Sequence, residues 1–135
     1  MDDCIFCKIV KGEIPSHKVY EDEDILAFLD INPVNPGHTL VIPKEHCKDL
    51  LSTPTELAQK LMATVQKLAP VIMKSVESDA FNLGVNCGET AGQVVFHTHL
   101  HIMPRFESDK YELWHGKEMS EDELKEISEK IKSNL

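Results

Sequence analysis

The chain predicts a single antiparallel α+β domain. Short β-branched and aromatic runs are bounded by dense turn chemistry, and the helical stripes are segregated rather than alternating with each strand. No linker, low-complexity tract or internal repeat divides residues 1–135, and 41% hydrophobic content is enough for one domain with its own core.

The elements follow in order. Cys4 to Lys11 is short and apolar; Phe6, Ile9 and Val10 suit a helical turn or two that Gly12 terminates. Pro15 breaks the chain. Lys18 to Glu21 and Ile25 to Leu29 read as strands joined by the acidic turn Asp22-Glu23-Asp24. Residues 32–37 are turn chemistry, and His38 to Ile42 is a third strand stopped by Pro43. Thr53 as cap, Pro54 at the first helical position and Glu56 as the capping-box acid start a long helix. Its stripe of Leu57, Leu61, Val65, Leu68, Ile72 and Val76 reads as core, and Pro70 predicts a kink. Phe81 to Asn86 and Val94 to Pro104 are the fourth and fifth strands. Ser120 with Glu123 is a second capping box, and Leu124, Ile127, Ile131 and Leu135 give the last helix its apolar side.

A net charge of −9 speaks against a general nucleic-acid or anionic-membrane surface, but leaves room for a small phosphorylated ligand in a local pocket. The acidic residues of the turn and of Glu118 to Glu129 read as solvated faces. Asp2, Asp3 and Lys8 interrupt any secretory signal, and no apolar run reaches the length of a membrane span. The expectation is a cytoplasmic protein without a nucleic-acid or membrane partner.

The run His97-Thr98-His99-Leu100-His101 carries the chemistry. In a strand, alternate side chains share a face, so the imidazoles line up roughly 6–7 Å apart. Imidazole is suited to nucleophilic, acid–base and metal work near neutral pH. Cys4 and Cys7 form a C-x-x-C, whose readings are a zinc site, a redox pair or two inert thiols. The redox reading lacks its βαβ context. A zinc site needs two further ligands, with His46 and either His97 or His101 favoured over His99.

The blocks Cys4-Ile5-Phe6-Cys7-Lys8-Ile9, Ala27-Phe28-Leu29-Asp30-Ile31, Gly37-His38-Thr39-Leu40-Val41-Ile42-Pro43-Lys44, Asn86 with Gly92-Gln93, and residues 97–103 recur together. In that combination the chain resembles the histidine triad (HIT) family, in its Hint-like, zinc-binding bacterial-type branch. The resemblance covers residues 4 to about 106 and leaves a tail over 107–135. It implies a five-stranded antiparallel sheet, a homodimer sharing a wider sheet, and a purine nucleoside monophosphate site. It also implies a phosphoramidase-type hydrolase or transferase acting at the α-phosphate of purine nucleotide conjugates such as adenosine phosphoramidates. The alternatives are a dinucleoside polyphosphate hydrolase, or a nucleotide-binding scaffold with incidental catalysis.

The resemblance assigns roles residue by residue. Cys4, Cys7, His46 and His97 match the ligands of a structural Zn2+. His99 matches the nucleophile that forms a covalent nucleotidyl-histidine, with its other ring nitrogen donating to a backbone carbonyl. His101 matches the phosphate donor and general acid, and His38 the histidine that orients it. Gln93 and the backbone of Gly92 to Val94 match donors to phosphate oxygens. Asp30 matches the ribose-binding acid, and Phe6, Ile9, Ile31 and Leu40 line the base pocket. Asn86 reaches the phosphate or leaving group. Many relatives carry Ser or Thr where this chain has Val94, which implies a weaker or differently tuned leaving-group preference. For Trp114, reaching across a dimer and packing on its own subunit stand as equal readings.

Overall fold

The computed structural model describes residues 3–135; Met1 and Asp2 of the expected domain lie outside the described residues. Its elements are α1 (Ile5–Val10), β1 (Lys18–Glu21), β2 (Ile25–Leu29), β3 (Thr39–Pro43), α2 (Thr55–Val76), β4 (Ala80–Gly84), β5 (Leu100–Arg105) and α3 (Glu121–Ser133). All five strands form one antiparallel sheet in the order β1-β2-β3-β5-β4.

Strand periodicity sorts the core onto both faces of this sheet. Ile25 and Ala27 of β2, Val41 of β3 and Leu100 and Ile102 of β5 pack with Leu61, Val65, Leu68, Ala69 and Ile72 of α2. Leu26, Phe28, Leu40 and Ile42 pack on the other face with Phe6 and Ile9 of α1. Burial on both sides explains why β2 and β3 read as nearly continuous apolar runs rather than alternating ones. Gly37, at φ +89°, closes the turn before β3; a Cβ there would meet Val76, Pro104 and Ile72 at 3.0–3.2 Å.

Several boundaries differ from the expectation, each for a local reason. The long helix starts at Thr55 with Pro54 at its cap position and no side-chain cap. Thr53 is not the cap, because its hydroxyl lies 2.7 Å from the Asp49 carbonyl and 2.8 Å from the Thr98 hydroxyl. A capping box instead closes the preceding 3₁₀ turn between Asp49 and Ser52. As expected, one helix spans the apolar stripe with Pro70 inside it. The third strand begins one residue later than expected, leaving His38 outside the ladder, and the fourth ends at Gly84, short of Asn86.

The largest correction concerns the fifth strand, which begins at Leu100 rather than Val94. β3 offers partners only to Leu100, His101 and Ile102. Upstream, the chain is tied to the 43–48 segment by individual hydrogen bonds. The last helix also departs from expectation. Its Ser120–Glu123 capping box is present, but Leu124, Ile127, Ile131 and Leu135 are 43–98% exposed.

Candidate active site and metal centre

His97, His99 and His101 do gather, although only His101 belongs to a strand. His101 pairs with Leu40, which places it on the α1 face of the sheet. The His99 and His101 ring centroids are 5.0 Å apart, and the Phe6 ring edge approaches His99 at 5.1 Å and His97 at 5.9 Å. His97 is fully buried, and His38 and His99 nearly so.

Backbone partners assign the proton on each ring. His99 Nδ1–H donates to the His97 carbonyl at 2.7 Å, so a neutral His99 carries its lone pair on Nε2. The Val34 amide donates to His38 Nδ1 at 3.0 Å, which puts the His38 proton on Nε2. That Nε2–H donates to His101 Nδ1 at 2.9 Å. His101 is thereby left with its proton on Nε2. Neighbouring rings thus present one nucleophilic nitrogen and one N–H donor. Burial lowers all three from the ordinary histidine value, and His101, next to His99 and His38, is pushed down to about 4. At neutral pH the trio is uncharged.

His97 faces the other way. Its Nε2–H donates to the Pro43 carbonyl at 2.8 Å, which frees Nδ1 toward the cysteines. Nδ1 lies 3.3 Å from Cys4 Sγ and 3.6 Å from Cys7 Sγ, and His46 Nδ1 lies 3.3 Å from Cys7 Sγ. The four ligand atoms sit within 4.8 Å of one another. Tetrahedral zinc, with bonds of about 2.3 Å to sulfur and 2.0 Å to nitrogen, needs sulfur–nitrogen edges of about 3.5 Å. Cys4, Cys7, His46 and His97 therefore fit a closed structural zinc site, and His101, the alternative ligand, lies elsewhere. Burial, with the Cys4 thiol beside it, pushes the Cys7 thiol up to about 11. Thiolates in this pocket require a compensating cation.

Asp30 meets the trio at its edge, with Oδ2 3.6 Å from His38 Nε2 and Oδ1 accepting the Asn32 amide at 2.8 Å. This brings Asp30, His38 and His101 within 4.8 Å, but the cluster is a poor cation site. His38 Nδ1 already accepts a backbone amide, so a metal on Nε2 would require an imidazolate.

The glycine loop brings a correction. Gln93 is 3% exposed, and its side chain is fully engaged. Nε2 donates to the Lys48 carbonyl at 2.8 Å and the Val95 carbonyl at 3.1 Å, while Oε1 accepts the Gly88 amide at 2.9 Å. It ties the loop together and has no hydrogen left for a phosphate. The amides of Gly92 and Gln93 bond Glu89 and Gly88. Of the expected donors, the Val94 amide forms no hydrogen bond among the described residues. Val94 itself is 83% exposed. Gly92 has φ +98°, and a Cβ there would sit 3.3 Å from Asn86 Nδ2, which in turn reaches the Gly92 carbonyl at 3.4 Å.

The base-pocket expectations divide. Phe6, Ile9 and Leu40 are buried in the α1-side core, whereas Ile31 is 89% exposed. A cavity of about 410 Å³ is lined by Val34, Gly84, Asn86, Met103, Leu113 and Trp114, among others, with none of the three rings in its wall. Trp114 is 99% exposed, so it does not pack on its own body. Sequence reasoning missed the parts that hold the site in place: the Val34 amide, the Pro43 carbonyl, and the buried hydroxyls of Thr53 and Thr98. Thr98 left a signal, because it is the one hydroxyl side chain in the run of residues 94–103.

A profile of the HIT domain matches residues 11–108. The chain is 46% identical to adenylylsulfatase HINT3 of Arabidopsis thaliana, over 92% of its own length and 62% of that protein. The crystal structure of SMU.412c from Streptococcus mutans superposes with a TM-score of 0.94 at 47% identity, covering 99% of this chain and 86% of the other. A zinc-bound histidine triad family protein from Mycobacterium smegmatis superposes with a TM-score of 0.78 at 38% identity, covering 99% of each.

Proposed function

The chain belongs to the histidine triad (HIT) family, and from that premise we propose that it is a phosphoramidase-type hydrolase or transferase. Its substrates are purine nucleoside monophosphate conjugates, cleaved at the α-phosphate. The observation that carries this reading is the proton order of the trio: His99 Nε2 is an unprotonated nitrogen held by a fixed acceptor behind it, beside the Nε2–H of His101.

His99 Nε2 attacks the α-phosphorus. The phosphorus–leaving group bond breaks with its electron pair, and the leaving group takes a proton that solvent supplies through His101, whose ring ends the step neutral. Water then attacks phosphorus and loses a proton through His101 to solvent; the nitrogen–phosphorus bond breaks with its electron pair returning to His99, and the nucleoside monophosphate is released. Two displacements replace one difficult one. An uncharged His99 suits the first step, since an imidazolium cannot attack. The incoming phosphate supplies the negative charge that favours a proton on His101. The Val94 amide and the His101 N–H are the donors for phosphate oxygens, and Asp30 Oδ2 is the acceptor for ribose hydroxyls. An adenylylsulfatase among the relatives supports adenylyl conjugates as the substrate class. Cys4, Cys7, His46 and His97 would hold Zn2+, which would supply structural cross-linking and no part of the displacement. A homodimer formed through the outer edge of β4 completes this reading, because that edge strand is unpaired among the described residues and carries exposed Leu83.

Intact mass after rapid quench with an adenylyl conjugate tests it. Wild type should gain one nucleotidyl group. His99→Ala and His99→Gly should gain none and lose turnover by about a thousandfold or more. Normal turnover in the His99 variants overturns the mechanism.

A further inference from the structure

We propose that Thr98 is a positioning residue for His99, acting through a buried hydroxyl chain that ends on the loop after His46. The inference rests on His99 as the nucleophile.

The β5 ladder starts at Leu100, one residue past His99. Sheet hydrogen bonding therefore does not fix the nucleophile's own backbone. The bond from His99 Nδ1 to the His97 carbonyl orients the ring only as well as that carbonyl is itself held. Thr98 lies between the two, 1% exposed. Its amide donates to the Cys47 carbonyl at 2.8 Å. Its hydroxyl lies 2.8 Å from that of Thr53 and 3.2 Å from the Cys47 carbonyl. The Thr53 hydroxyl donates to the Asp49 carbonyl at 2.7 Å. The two hydrogens are thus placed: Thr53 gives its own to Asp49, and Thr98 gives its own to Thr53 or Cys47.

A valine at position 98 would fill the same volume, so packing alone does not call for the hydroxyl. A buried hydroxyl needs partners, and here both partners belong to the 47–53 loop. The chain thereby ties the nucleophile segment to a loop from another part of the sequence. A small displacement of a nucleophile costs rate much more than it costs binding.

The test compares Thr98→Val, Thr53→Val and Thr98→Ser. It measures the rate of nucleotidyl adduct formation by rapid quench and the binding of adenosine monophosphate by calorimetry. Both valine variants should form the adduct about tenfold more slowly, with binding within about twofold of wild type. Thr98→Ser keeps the hydroxyl and should keep the wild-type rate. A wild-type adduct rate in Thr98→Val overturns the proposal. So does a loss of binding as large as the loss of rate, because that marks a general structural role. If Thr98→Val does not fold, Thr53→Val decides, since it removes the partner without touching the histidine segment. Absence of any adduct in wild type overturns the His99 reading. A wild-type adduct with unchanged valine variants overturns the role of Thr98 alone.

Discussion

Residues 97–101 and residues 107–135 both mix histidine with apolar side chains, yet the fold treats them in opposite ways. Between His97 and His99 the chain is 0–8% exposed, and each side chain bonds a named atom elsewhere in the molecule. In the tail, Trp114, Leu113 and the apolar side of α3 stand in solvent, and α3 is held by its own capping box. Among the described residues, the tail's hydrogen bonds to the body lie at its start, where Asp109 bonds Arg105, Asn35 and the amides of Phe106 and Tyr111. The Arg105 guanidinium holds the Asp109 carboxyl well below the usual carboxylate range. The site is thus positioned by long-range bonds, and the tail by local helix chemistry.

The sharpest way to break this contrast is to remove the tie that gathers most sequence into the site. The Cys4, Cys7, His46 and His97 cluster joins α1, the loop after β3 and the nucleophile segment. Chelation at neutral pH should release zinc and lower the thermal midpoint by about 10 °C or more. The same treatment should slow adduct formation, because His97 offers its ring to the cysteines and its carbonyl to His99. An unchanged midpoint after full metal removal would mean that packing alone holds the cluster.

The two regions also differ in how legible they were. Composition and periodicity located every strand to within a few residues, except for β5, and the alternation of His97, His99 and His101 marked the site. The early start expected for β5 shows what periodicity misses. Residues 94–99 have strand-forming side chains, but the ladder with β3 stops at Val41; the next residues of β3 end in Pro43, which has no backbone N–H and gives its carbonyl to the His97 ring. Choosing His97 over His101 as metal ligand needed the family resemblance, and its physical reason is the Pro43 carbonyl behind the ring. Gln93 shows the reverse error. A motif position fixed its identity but not its partners, and its amide faces the protein interior. The tail's capping box was legible because its determinants lie three residues apart.

A second prediction uses the charge state of the trio. His101 has a folded value of about 4 against an ordinary value of 6.5, and burial also lowers His38. Between those values the unfolded chain binds more protons than the folded one, so stability falls as pH drops through that window. Thermal midpoints should decline by about 5 °C between pH 6.5 and 4.5. His101→Gln, which has no titrating ring, should flatten the slope. An equal slope in that variant would place the acid sensitivity elsewhere.

The smallest effect belongs to the tail. Removing residues 118–135 deletes α3, whose apolar side chains Leu124, Ile127 and Ile131 are 43–58% exposed. Little apolar area returns to water on that deletion, and no buried hydrogen bond of the trio or the metal cluster involves these residues. The thermal midpoint of the truncated chain, measured at low micromolar concentration, should lie within about 3 °C of the full chain's. The rate of adduct formation at His99 should also stay close to the full-length value. A larger fall in midpoint, growing with protein concentration in the full chain alone, would mean that the apolar stripe of α3 is buried against a second copy in solution. The tail would then join the site among the regions held by contacts distant in sequence, and the contrast would hold only within one chain.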